Sequence, residues 1–224
     1  MQPSFGLGRS GSHMTIFLRV SIALLVAMVG FLLVVGTLDV SDPVQKVAQL
    51  VDNQTLLYIL MLISYVIWGI VFAVLVLALN ERLKTDSHAM MQIATAIGLI
   101  WACIVIASGQ VYNLGMGVVV DLYGQDPAQA AMVWMAIESV VNGLGSAGGE
   151  ILGGIWVLLV SWAALRAGEF SKALNYLGVL ISVAAFISAV PGLSLVAAIF
   201  GLGKIVWSLW LGIVLLSSNI NAPA

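Results

Sequence analysis

Charge is the first thing this sequence is short of. Eight basic and ten acidic side chains are spread over 224 residues, 8% of the chain, where a soluble domain carries about 25%. The net charge of −2 leaves no basic stripe to hold a phosphate backbone, so nucleic acid is excluded as a partner. Cysteine is scarcer still. Cys103 stands alone, which excludes an intramolecular disulfide. The two histidines, His13 and His88, come without an HExxH or a paired Cys/His spacing, so neither a histidine zinc site nor a bis-histidine haem is expected. No metal and no cofactor is implied. The sequence also lacks a Ser/His or paired-aspartate arrangement and a phosphate-binding glycine loop, which argues against an enzyme.

What fills the space is apolar: 62% of residues are hydrophobic, and several runs reach the length needed to cross a bilayer. The reading is an all-α polytopic transmembrane helical bundle. Residues 1–13 end in "GSH" before Met14, the junction that a purification tag leaves, so 14–224 are expected to form one integral membrane domain. The segment after Met14 is too long for the core of a signal peptide and is read as a first span. Spans are expected at Ile16 to Leu38, Leu56 to Asn80, Met90 to Leu114, Glu150 to Leu165, Tyr176 to Val190 and Val196 to Leu216. Polar or breaker-rich links separate them, among them "DVSDPVQKVAQLVDNQ", "ERLKTDSH" and "RAGEFSK". The runs are too long and too uniformly apolar for the alternation of a membrane barrel.

Lysine and arginine set the expected orientation. With both termini cytoplasmic, Arg82, Lys84, Arg166 and Lys172 fall inside and Lys46 alone falls in an outer loop. Pro127 and the glycines after Asn142 bracket one more helix, Ala128 to Asn142. It is read as an outer or partly inserted helix leading into the fourth span. A seven-span variant results if it crosses, at the expense of the positive-inside count.

One stretch, "GLGSAGGEILGGIW", places a carboxylate, Glu150, among glycines at the head of an apolar run. Lys204 is the lysine inside the last span, and counting at ~1.5 Å per residue from the cytoplasmic ends brings the two to comparable heights. A charge at the bilayer centre costs at least ~2.5 kcal/mol, so both are expected to face the bundle interior, a water-filled cavity or each other. Gln110 and Asn113 close the outer half of the third span, and Glu138 with Asn142, spaced i to i+4, point to the same outer region. These six residues are the candidate ligand or ion site. Read structurally, Glu150 and Lys204 form an ion pair that fixes helix register. Gly145, Gly149 and Gly153 make small-xxx-small spacings for close helix packing, through which the chain can self-associate; a broken helix at a binding site is the alternative. Trp134, Trp156, Trp207 and Trp210, with Tyr58, Tyr112, Tyr123 and Tyr176, read as interfacial belt or packing residues and not as an aromatic cage.

The pattern "GGEILGGIWVLLVSWAALRAGEFSKALNYLGVLISVAAFIS" resembles a group of bacterial membrane proteins classed as a domain of unknown function, with the likeness covering the second to sixth spans. The resemblance implies a bacterial inner-membrane helical bundle and carries no activity. Lys204 in the last span is also similar in placement to the retinal lysine of microbial rhodopsins, for which Glu138 or Glu150 would be the counter-ion. The third span, however, offers no carboxylate and no aspartate-tryptophan motif.

Three function classes follow. The first is a small transporter, channel or ligand-binding protein of the inner membrane, with an outward-facing polar site for a small ligand or ion. The second is a structural or accessory subunit whose Glu150 and Lys204 serve packing alone. The third is a retinal-type bundle. Beyond the lipid bilayer, the partners expected are a small ligand or ion and further copies of the chain.

Overall fold

The computed structural model describes residues 42–146, 149–188 and 194–220, with the side chains of 145, 146, 149, 150, 194, 195, 197, 198 and 216–220 excluded. The expected first span therefore lies outside the described residues, as do the tag-like residues before it. Every described element is helical. Helix α1 is Pro43–Asp52, α2 is Gln54–Leu83, α3 is His88–Tyr123, α4 is Pro127–Val141, α5 is Gly149–Ala167, α6 is Lys172–Ser188 and α7 is Ser194–Ile220.

Two of these begin in the same way. Asp42 accepts from the N–H groups of Val44 and Gln45 at 2.8 and 3.0 Å, ahead of Pro43. Asp126 does the same for Ala128 and Gln129, both at 3.0 Å, ahead of Pro127. The carboxylate satisfies N–H groups that a first turn leaves open, and proline there gives up a donor that had no partner. Asp126→Ala is expected to destabilise the protein by about 1 kcal/mol, measurable as a lowered thermal midpoint.

The sequence-based bounds for α2, α5 and α7 agree with the helices to within a few residues. Helix α3 instead runs on past Leu114 to Tyr123, a length of about 54 Å at the helical rise. That extra length organises the molecule into two cores. The larger core is built by the later part of α2 and the N-terminal half of α3 with α5, α6 and α7, and includes Phe72, Trp101, Trp156, Leu174, Phe200 and Trp207. The smaller core joins α1 and α4 to the far end of α3 and the start of α2, through Val47, Leu50, Leu57, Met116, Val119 and Trp134. We call this second unit the cap. Helix α4 packs along α3 and α1, and its junction to α5 is a π-helical turn, Asn142–Ser146.

The opposite end of the bundle is tied by charge. In the link between α5 and α6, Gly168 and Phe170 both take positive φ, +65° and +61°, a conformation costly for a side chain as large as phenylalanine. Arg82 at the end of α2 holds this link. Its guanidinium donates to Glu169 Oε2 at 2.9 and 3.2 Å and lies 5.1 Å from the Phe170 ring centre. The Asn175 amide, itself buried, donates to the Glu169 carbonyl at 3.0 Å. The α2–α3 and α5–α6 links are thereby fixed at the same end.

Candidate functional site

Helix α7 turns one face to the core, and that face carries the charge. Phe200, Trp207, Leu211 and Leu215 are all buried, at the three-and-four spacing of a helix stripe. Lys204 sits within that stripe, half-buried. Its Nζ lies 5.2 Å from the centre of a Trp101 ring and 5.5 Å from that of Phe200, within range for the ammonium to be attracted to the ring faces.

Those rings belong to a longer series. Trp68 stacks on Phe72 with centroids 5.0 Å apart; Phe72 meets Trp101 and Trp156 edge-on, each at 4.8 Å; and Trp156 meets Trp207 edge-on at 6.0 Å. The series crosses the bundle from α2 through α3 and α5 to α7. Edge-to-face pairs are worth about 0.5–1.5 kcal/mol beyond the area they bury, so the series adds to the packing of the larger core. Trp156 and Trp207, whose sequence positions suit belt or packing roles equally, are core residues, and Trp134 is likewise buried in the cap. Tyr58, Tyr176 and Trp210 are exposed.

Gly153 is where α5 touches the charged locus. A Cβ there would lie 2.8 Å from the Trp101 indole, so glycine is required for α5 to approach the ring that Lys204 covers. Glu150 is one turn earlier on α5; its side chain lies outside the described residues, as do those of Gly145 and Gly149. The other polar candidates fall elsewhere. Tyr112, their neighbour, is eleven positions from Trp101, about 16 Å along the helix. Asn113 is buried and donates to the Tyr58 carbonyl at 3.5 Å, while Gln110 and Asn142 are exposed. Glu138 is paired with Lys46 at 2.6 Å. The structure thus brings Lys204 to an aromatic locus in the larger core and leaves Glu138 and Asn113 with the cap.

Lys46 is the partner that sequence reasoning left in an outer loop, and the signal for it was present. It lies one turn after the Asp42–Pro43 start, so it is on a helix and can be aimed. Trp101 gave no comparable signal, because its role depends on three other helices.

A further polar group sits where α5, α6 and α7 meet. Ser161 and Ser182 are completely buried. The Ser182 hydroxyl donates to the Gly178 carbonyl at 2.7 Å, whereas the Ser161 hydroxyl and the Trp207 indole N–H, both crowding Gly178, have no hydrogen-bond partner among the described residues.

No curated protein and no solved structure matches the chain. A family model described as a domain of unknown function, DUF4386, matches residues 20–217, which takes in every helix from α1 to α6 and nearly all of α7. The match covers most of the chain and extends the resemblance drawn from the α5–α6 pattern to the whole bundle: the chain belongs to the DUF4386 family.

Proposed function

We propose that this chain is a multi-pass protein of the bacterial inner membrane and that Glu150 and Lys204 form a site for a small ligand or ion inside its bundle. The membrane reading rests on the outer surface. Helices α2 and α3 are each long and apolar enough to cross a bilayer, yet of the most apolar 18 residues in each only 28% and 33% are buried. The remaining surface carries side chains such as Ile70, Leu77, Ile93 and Ile100, and α6 and α7 add Leu180, Leu202 and Ile213, all exposed. Apolar patches on this scale are not tolerated in water and are the normal surface in lipid. The Arg82 and Glu169 contact supports one orientation. It joins two links at the end where Lys84, Arg166 and Lys172 also cluster, and a basic cluster of this kind belongs on the cytoplasmic side.

The single observation behind the site is Lys204. A lysine midway along an apolar helix costs about 2.5–3.5 kcal/mol when it faces lipid, and this one is turned inward over two rings. Glu150, one turn from the glycine that packs on the same Trp101, is the acid placed to work with it. The ring contacts also favour a second reading, in which the charges lock α3, α5 and α7 in register and bind nothing.

Thermal denaturation in detergent separates the two readings. The wild type, Glu150→Gln and Lys204→Met are compared across about pH 4 to 9, with a panel of inorganic ions and small metabolites. A saturable ligand shift in the wild type that both variants lose supports the site. The register reading is supported if no ligand shifts the wild type, each single variant is strongly destabilised, and the charge exchange Glu150→Lys with Lys204→Glu restores stability.

A further inference from the structure

Helix α3 carries an amide on its outer face. Ala96, Ile100, Cys103, Ala107, Gln110 and Leu114 follow one another at alternating spacings of four and three residues and are all exposed, so they form one stripe along the helix. The other long outer faces are of a different kind. On α2 from Leu56 to Leu77, on α6 from Tyr176 to Ile187 and on α7 from Ile199 to Ile213, every exposed side chain is large and apolar, which suits lipid. Residues 89–120, which surround Gln110, hold no charged side chain. The midpoint of that run is about 8 Å from Gln110 along the helix, within the ~15 Å half-thickness of a hydrocarbon layer. Lipid tails offer an amide at that depth neither a donor nor an acceptor.

A second primary amide answers the first, because each carries one acceptor oxygen and an NH2 donor. Two copies of the chain inserted in one membrane share an orientation, so the twofold axis relating them runs along the bilayer normal and α3 meets its own copy in parallel. Residues next to the axis then face their counterparts. Gln110 meets Gln110, and Ala96, Cys103 and Ala107 put little bulk between the two backbones, as close pairing of membrane helices requires. No like charges are forced together, since the stripe from Ala96 to Leu114 has none. Asp121, the next charge along α3, is about 10 Å beyond Leu114 at the end of the helix. Gly153, which the small-residue spacing marks for self-association, is turned inward against Trp101 and does not compete for this role.

We infer that the outer stripe of α3, from Ala96 to Leu114, is the contact between two copies of this chain and that a hydrogen bond between the two Gln110 amides closes it. The inference rests on the membrane reading given above and is independent of the site at Glu150 and Lys204. Cys103 reports on it directly. It is the chain's one cysteine, it is exposed, and it lies two turns, about 10 Å, from Gln110 on the same face. A disulfide requires two Cα atoms within about 7 Å, a separation that closely paired helices hold and separate monomers do not.

The test is oxidative cross-linking of the full chain in phosphatidylcholine vesicles, washed at alkaline pH, treated with copper phenanthroline and diluted stepwise in lipid. The wild type is expected to give a disulfide-linked dimer that persists on dilution. Gln110→Leu should lose half of its dimer at a chain density roughly three- to thirtyfold higher than the wild type does, the range for one hydrogen bond between membrane helices. Ala107→Phe, which drives a ring between the helices, should give no dimer. Both positions are exposed, so neither change should lower the melting temperature of the chain, measured alongside. The cysteine is also moved to the outer face of α6, as Cys103→Ala with Leu180→Cys, and that variant should stay monomeric at dilutions where the wild type is linked. Equal linking through Leu180→Cys overturns the proposal, and so does a dimer that Gln110→Leu or Ala107→Phe leaves unchanged. A washed chain that stays in the vesicles without a wild-type disulfide overturns it alone and assigns the stripe to lipid or to residues 16–38. A chain that the alkaline wash strips off overturns the membrane reading together with it. Should Gln110→Leu not fold, wild type against Leu180→Cys carries the test.

Discussion

Trp101→Ala is expected to cost roughly 3–5 kcal/mol of stability, the range for removing a large aromatic side chain from a packed core. The reason is position. Trp101 is 4% exposed and is approached by Trp68 at 6.0 Å, Phe72 at 4.8 Å and Trp156 at 6.2 Å. Gly153 is fitted to its indole, and Lys204 lies over its face. Alanine leaves a cavity bordered by three helices, and partial collapse cannot fill it, because the glycine opposite has no side chain to move in. It also strips Lys204 of one of its two ring faces. The measurement is a chemical or thermal denaturation midpoint in detergent, with Trp210→Ala as comparison. Trp210 is 38% exposed, and its truncation should cost far less. Equal losses at the two positions would remove Trp101 from the centre of the fold.

How far the sequence speaks to these features depends on the range of the interaction. Helices are local, and the runs of apolar residues marked α2, α5 and α7 well. The 128–142 helix was legible because Pro127, after Asp126, marks its start and the glycines after Asn142 mark its end. The same signature at Asp42 and Pro43 marks α1, but that segment is short and polar and reads as a link between apolar runs. Helix α3 was read as ending at Leu114, a bilayer's length from its start, whereas the apolar residues beyond it continue the helix to Tyr123 and serve the cap core. The inward direction of Lys204 was accessible from its stripe with Phe200, Trp207 and Leu211. Its partners were not, since Trp101 is contributed by α3 and nothing in either sequence segment refers to the other. The pairings of Lys46 with Glu138 and of Arg82 with Glu169 span 92 and 87 residues. Such contacts follow from how helices are stacked, which single-sequence periodicity does not encode.

The same distinction between local and long-range effects makes glycine substitutions informative, and Gly178→Ala should be the clearest. In an isolated helix this change is favourable by nearly 1 kcal/mol, since alanine restricts the unfolded backbone and favours helix. At Gly178 the added Cβ would overlap the Ser161 hydroxyl, lie 2.7 Å from the Trp207 indole nitrogen and 3.0 Å from the Ser161 Cβ. None of these neighbours is free to retreat, because Ser161 is completely buried in α5 and Trp207 is held edge-on against Trp156. Overpacking costs typically about 1–3 kcal/mol, so the sign reverses and Gly178→Ala should lower stability; Gly178→Val, with two more carbons, should prevent folding or nearly so. Gly117 on α3 provides the contrast. A Cβ there meets nothing within 4 Å, and Gly117→Ala should be neutral or stabilising by up to about 1 kcal/mol. Adding Ser161→Gly to Gly178→Ala removes the nearest obstruction but not the indole, so it should recover stability only in part. Full recovery would mean that Trp207 yields, and that the α5, α6 and α7 contact is closed by the serine alone. No loss at Gly178 would mean that the three helices are not held at this separation.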